Sequence, residues 1–264
     1  NRFAWLSPTI AAMLGSSFVL AAAFVWHARA TSEPFLPLSL MGGSVVPYAM
    51  AAGGCALGAM IGLTVHLPLY YQVVYHLSAS ESGLALIPLA AVSTGGAALA
   101  GRTMMRAVHY KRVAIVGTST AAVIAAILAL VVMPLWLLLA LLSLFAFGLG
   151  TTFPTSVVSL QNAVARRQVG TVTGAMNFFR ALGASFTVAA FTTILLMVLG
   201  TDISIGHEGG HPMNAISAAD LTTAFHYVFA AAAVMLACAA LFLTLMEERP
   251  LAGPAEKPAL DMAE

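Results

Sequence analysis

The stretch GLGTTFPTSVVSLQNAVARRQVGTVTGAMNFFRALG, residues 148–183, decides how this chain is to be read. It emerges from a long apolar run, grows polar toward Arg166 and Arg167, and passes into a second apolar run. Two cations between runs of about 20 apolar residues mark two membrane-spanning helices joined by a short basic loop. Gly148, Gly150 and Pro154 make the first of these helices pliable, and Thr151, Thr152, Thr155, Ser156, Ser159, Gln161 and Asn162 make its far half polar. The plain account of that polarity is a helix leaving the membrane.

The rest of the chain extends the pattern. Of its 264 residues, 60% are hydrophobic and 8% charged, against about 25% charged in soluble domains. Seven apolar runs are expected to span, near 7–27, 47–74, 83–101, 113–132, 135–159, 171–199 and 222–246. None alternates with period two, so the fold class is all-α and polytopic, not a barrel. With a net charge of +1 and no basic block, no nucleic-acid partner is expected. Cys55 and Cys238 lie in apolar runs and read as free thiols.

Eleven Lys and Arg set the orientation. Arg29, Arg102, Arg106, Lys111, Arg112, Arg166, Arg167, Arg249 and Lys257 all fall on one side, which is expected to be cytoplasmic. Arg2 falls on the other side, and Arg180 lies within a span. The chain then enters from outside, and an odd number of spans is expected upstream of Asn1. Residues 1–45 read as one extra helix with a cytoplasmic linker, 46–250 as a six-helix unit and 251–264 as a cytoplasmic tail.

One motif points elsewhere. His207-Glu208-Gly209-Gly210-His211 is a literal H-E-x-x-H, the zinc-peptidase pattern when it lies on a helix. Here it lies in an outer loop, with two glycines inside it and Pro212 behind it. All ten acids sit in loops or tails, so no third ligand is at hand. No metal site and no enzymatic activity are expected.

Polar groups inside spans are the site candidates. In the second span His66 and Gln72 bracket Pro68, which frees a backbone carbonyl, and Tyr71 lies beside them. Gly54, Gly58 and Gly62 form a small-residue ladder that lets a neighbouring helix approach. In the sixth span Thr173, Asn177, Arg180, Ala184 and Thr187 recur at helical spacing and are expected to form one stripe facing a water-filled cavity. Gly101, Arg102, Arg106, Lys111 and Arg112 either anchor the topology or act as a cytoplasmic gate that pairs with carboxylates or helix C-termini.

Together these stretches resemble the fourteen-helix drug–proton antiporter family of the major facilitator superfamily. The residues that carry the resemblance are 33–41 (EPFLPLSLM), 67–74 (LPLYYQVV), 100–112 (AGRTMMRAVHYKR), 148–183, and the AFHYVF and EERPL segments near the end. Two departures stand out. Met105 and Val108 occupy places where the family often has an acid and a glycine, and His66 stands where an aromatic or aliphatic residue is usual.

The resemblance implies that the first span is an eighth helix and that the next six form the C-terminal half. Spans two to four and five to seven would be inverted repeats, with the substrate site between the halves. It implies efflux of lipophilic or cationic small molecules across the cell (inner or plasma) membrane. The coupling would come from the proton gradient, with no cofactor. The partners would be the substrate, membrane lipid and the N-terminal half of the same polypeptide. Other readings of the same fold are a transporter for another class of small molecule, or a non-transporting scaffold or sensor.

Overall fold

The structure, a computed structural model, describes residues 8–30, 42–106, 109–199 and 217–248. It divides into two compact units, Asn1–Gly43 and Ser44–Glu264. The first contains helix α1 (Pro8–Ala30), 23 residues long and free of acids in its first turn.

The second unit is a helical bundle. Its elements are α2 (Val46–Val74), the short α3 (Ala79–Leu84), α4 (Ile87–Arg106), α5 (Lys111–Leu128), α6 (Leu135–Asn162), a 3₁₀ turn (Arg166–Gln168), α7 (Val169–Leu199) and α8 (Ala218–Leu245). Six helical segments among the described residues are long and apolar enough to cross a membrane, α3 and α4 counting as one. Each matches an expected span, and the described residues contain no strand.

Local chemistry sets the boundaries. His76, with φ 55°, ends α2 in the left-handed region, and the Leu77 N–H returns 3.2 Å to the Tyr71 carbonyl. Ser78 and Glu81 then form a capping box that starts α3 as a separate turn. The third span is therefore two helices, not one. Pro134, extended at φ −63° and ψ 149°, precedes α6 and fixes its start. Acids also reach further into helices than the expected spans allowed. Glu81 and Asp220 occupy first turns of α3 and α8.

Packing is pairwise and symmetric. α2 and α6 touch at the centre, α7 lies against α2, and α4 lies against α6. Behind them α5 and α8 pack on one another, α5 also on α6 and α8 also on α2. Exchanging α2 with α6, α4 with α7, and α5 with α8 maps this set of main contacts onto itself. That is the pairing expected of two inverted repeats. Both central helices share a Gly-Leu step followed by a proline at the same offset, Gly62-Leu63 to Pro68 and Gly148-Leu149 to Pro154. Both helices continue through those prolines.

Small residues bring the central helices close to their neighbours. A Cβ on Gly58 would come within 2.5 Å of Thr187 Oγ1, and one on Gly62 within 2.7 Å of the Phe191 ring. On the other repeat, a Cβ on Gly150 would overlap the Ser93 carbonyl of α4, and one on Gly148 the Gly117 carbonyl of α5. At the end without Lys or Arg, Tyr70, Tyr75, Phe225 and Phe229 form an aromatic cluster. The Tyr75 hydroxyl donates to the Met133 carbonyl at 2.6 Å, tying α2 to the α5–α6 connection.

Candidate functional site

Arg180 is the charged group in the middle of the bundle. It projects from α7 across α2 to α6. One terminal nitrogen, Nη2, donates to the Phe153 carbonyl at 3.2 Å and to Ser156 Oγ at 2.8 Å. The guanidinium carbon lies 5.7 Å from the Phe153 ring centre, a cation–π distance. Its Nε is buried and has no acceptor. No carboxylate pairs with it among the described residues. A half-buried cation with only neutral partners keeps much of its desolvation cost, so its retention in an apolar layer points to use.

The seat for this side chain is Gly53, one residue before the ladder read from the sequence. A Cβ there would sit 2.9 Å from Arg180 Nε and 3.0 Å from Met176 Cε. Gly54, by contrast, would meet only the Phe179 carbonyl, at an ordinary 3.8 Å. Only the position of the arginine reveals Gly53.

The stripe on α7 is not a continuous cavity wall. Thr187 is buried, donates to the Gly183 carbonyl at 2.8 Å, and packs on Gly58. Ala184 is likewise buried. The outer part of the stripe meets α2 because the glycine ladder admits it, so Thr187 packs on α2 in this structure. Asn177 is exposed and Arg180 half-buried, so the stripe opens only toward its first turns.

His66 and Tyr71 are both buried in this structure, at 7% and 1% exposure. The Gly62 carbonyl accepts from His66 Nδ1 at 2.7 Å, and Nε2 meets the Thr192 hydroxyl at 3.0 Å. With the ring set edge-on to Phe191, His66 is a satisfied packing histidine between α2 and α7. Gln72 is half-buried near the end of α2.

The polar half of α6 does not simply leave the membrane. Thr151, Thr152, Thr155, Ser156 and Ser159 are all buried. Most return their hydroxyls to carbonyls of their own helix, as Thr155 does to Thr151 at 2.9 Å. Thr152 reaches Thr118 of α5 at 2.6 Å. Gln161 donates to Thr173 Oγ1 at 3.1 Å, linking α6 to α7, and Asn162 is half-buried at the helix end.

At the basic end, Lys111 is engaged. Its ammonium donates to the Thr244 carbonyl at 3.1 Å and the Met246 carbonyl at 2.5 Å, both at the C-terminus of α8. Its backbone N–H donates to Glu248 Oε1 at 3.1 Å, and the other Glu248 oxygen lies 3.3 Å from His109 Nδ1. Ser44 Oγ donates to Glu247, which ties in the segment before α2. Arg102 and Arg112 are exposed, Gly101 faces open space, and Arg106 ends α4. The His207–His211 motif lies outside the described residues.

Comparison with known proteins fits this architecture. The family model described as Major Facilitator Superfamily matches residues 2–188. A Mycobacterium tuberculosis H37Rv protein named an uncharacterized MFS-type transporter is 31% identical over 207 residues, 75% of this chain and 29% of its own length. A tetracycline resistance determinant of Streptomyces rimosus is 23% identical over 203 residues, 75% of this chain and 58% of its own. A multidrug transporter protein of Bacillus subtilis is 23% identical over 195 residues, 73% of this chain and 36% of its own. The chain thus spans less than two thirds of each relative. A single family model over most of the chain and helices that pair as two inverted repeats lead to one conclusion: the chain belongs to the major facilitator superfamily, whose members are multi-pass membrane transporters.

Proposed function

We propose that the chain is the C-terminal part of a proton-coupled exporter of lipophilic or cationic small molecules in the cell membrane. It would work by rocking against an N-terminal half to expose a central cavity alternately to each side. The observation that carries this reading is Arg180, a cation without an acid, in a layer whose other groups are apolar or hydroxyl. Such a group is useful in a wall that meets a partner across a wet interface. Names of relatives that include drug and tetracycline resistance support the efflux reading.

Within this reading, the cavity groups of this half are Arg180, Asn177, Gln161, Asn162 and Gln72. His66, Tyr71 and Thr187 hold the helices that carry them. Among the described residues the acids are Glu81 and Asp220, in first helical turns, and Glu247 and Glu248, just beyond α8. The coupling carboxylate is therefore assigned to the N-terminal half, and this half supplies wall, hinge and gate. Residues 1–264 expressed alone should insert but move no substrate. Co-expression with the upstream helices should restore dye efflux that collapses when the proton gradient is dissipated. Efflux that survives a protonophore, or proton-driven movement by 1–264 alone in vesicles, would sink the proposal.

A further inference from the structure

α4 and α5 follow one another in the chain yet scarcely pack together, because both lie against α6. Between them a groove of about 370 Å³ opens. Leu99 of α4 and Val113 and Val116 of α5 form its walls, and Leu144 and Phe147 of α6 form its floor. From Arg112 to Thr120 the groove follows α5 for about 12 Å at 1.5 Å per residue. We propose that this groove binds one acyl chain of an anionic phospholipid, with the headgroup phosphate held between Arg102 and Arg112.

Apart from Arg112 at its mouth and the hydroxyls of Thr120 and Thr151, the lining is apolar. The Thr151 hydroxyl at its edge is turned to the Gly148 carbonyl of its own helix at 2.7 Å. A flexible hydrocarbon needs no such partner and gains dispersion contacts along the apolar walls. The floor is held open by backbone contact. Gly117 and Gly148 approach so closely that neither could carry a Cβ, and Gly96 and Gly150 bring α4 equally close to α6, so both helices are fixed on α6 while scarcely touching each other.

Charge supplies the second half of the argument. Arg112 lines the mouth at the basic end. Arg102 lies one turn beyond Leu99 on the same face of α4, which places it at the same end of the groove as Arg112. Both are exposed, and neither has a hydrogen-bond or ion-pair partner among the described residues. Lys111, beside Arg112, is occupied by the Thr244 and Met246 carbonyls, and Glu248 is occupied by the Lys111 N–H and His109. The two arginines are thus left for a ligand. Paired guanidinium forks match phosphate oxygens, and a basic recess between spanning helices favours an anionic headgroup over a zwitterionic one.

The test uses the full-length protein in bilayer discs containing phosphatidylglycerol with a photoreactive group in its acyl chain, or the matching phosphatidylcholine. Peptides containing Val116 and Leu144 should be labelled several-fold more by the anionic lipid. Arg102→Gln with Arg112→Gln should erase that preference. Val116→Trp, at a position 65% exposed and thus free of packing constraint, should block labelling by filling the groove. Equal labelling by both lipids, or a preference that survives the double arginine change, overturns the proposal. So does labelling that is displaced by excess efflux dye, since it would assign the groove to substrate.

Discussion

Lys111 and Glu248 cap each other's helices. The Glu248 carboxylate accepts the first backbone N–H of α5, while the Lys111 ammonium sits on the last carbonyls of α8. Each charge meets the helix end of opposite polarity, so three backbone groups that helix termini leave unpaired are covered by two residues. The arrangement also locks the two back helices, one of the three pairs that the repeat symmetry exchanges. Glu248→Ala should lower the unfolding free energy by about 1 kcal/mol, the usual loss for an N-cap. Lys111→Met should cost a similar amount, and the double variant should cost less than the sum because one clasp is lost in both. Melting of the purified protein in detergent measures this; additive losses would show that the two ends act separately.

Glycines that share a spacing should not share a phenotype. Gly150→Ala forces a methyl onto the Ser93 carbonyl, and backbone cannot step aside. Gly58→Val brings side-chain atoms onto Thr187 and the Gly183 carbonyl. Overpacking of this kind costs about 1–3 kcal/mol, enough to reduce folded yield sharply. Gly54→Ala, with its nearest new neighbour at 3.8 Å, should express and melt like the parent. Equal yields for Gly150→Ala and Gly54→Ala would show that the α4–α6 approach is looser than described.

The orientation rests on the clustering of Lys and Arg at one end of the bundle. Single cysteines at Thr103 and Ser204, in a background without Cys55 and Cys238, test it with a maleimide that cannot cross the membrane. Thr103→Cys should stay unlabelled in intact cells until they are opened, whereas Ser204→Cys should react at once. The reverse pattern turns the molecule over, and with it the placement of the lipid headgroup and the clasp on the cytoplasmic side.

Hydrophobic run length made the helices legible, because a bilayer demands about 20 apolar residues per span. All six expected spans in the larger unit are present, and Pro134 and Ser78 mark boundaries that turn chemistry could have sharpened. Side-chain direction was harder to read. In a chain apolar on nearly every side, periodicity does not separate a face toward lipid from one toward a neighbour or a cavity. His66 and Thr187 are polar groups inside spans, yet both are taken up by the α2–α7 contact, and Tyr71 is buried in the core. Gly53 and the Lys111–Glu248 clasp were hidden for the opposite reason. Their meaning depends on partners more than 100 residues away in sequence.

Arg180 is where stability and activity should separate. Its Nε is buried without an acceptor, and its charge is met only by a carbonyl, a hydroxyl and an aromatic ring. Removing the whole side chain deletes that desolvation cost along with the two hydrogen bonds, and Ser156 keeps its bond to the Thr152 carbonyl. Arg180→Ala should therefore insert normally and melt at or above the parent temperature, while efflux by the full-length protein falls to background. Arg180→Lys should recover only part of the efflux, because a single ammonium cannot both bond to α6 and lie flat along Gly53. Gly53→Ala, which presses on Nε from 2.9 Å without removing the charge, should weaken efflux while leaving expression intact. Near-normal drug resistance in Arg180→Ala cells at equal expression would reduce the arginine to a packing residue that reaches for the membrane surface. A loss of efflux matched by an equal loss of melting temperature would make it a structural strut between α6 and α7.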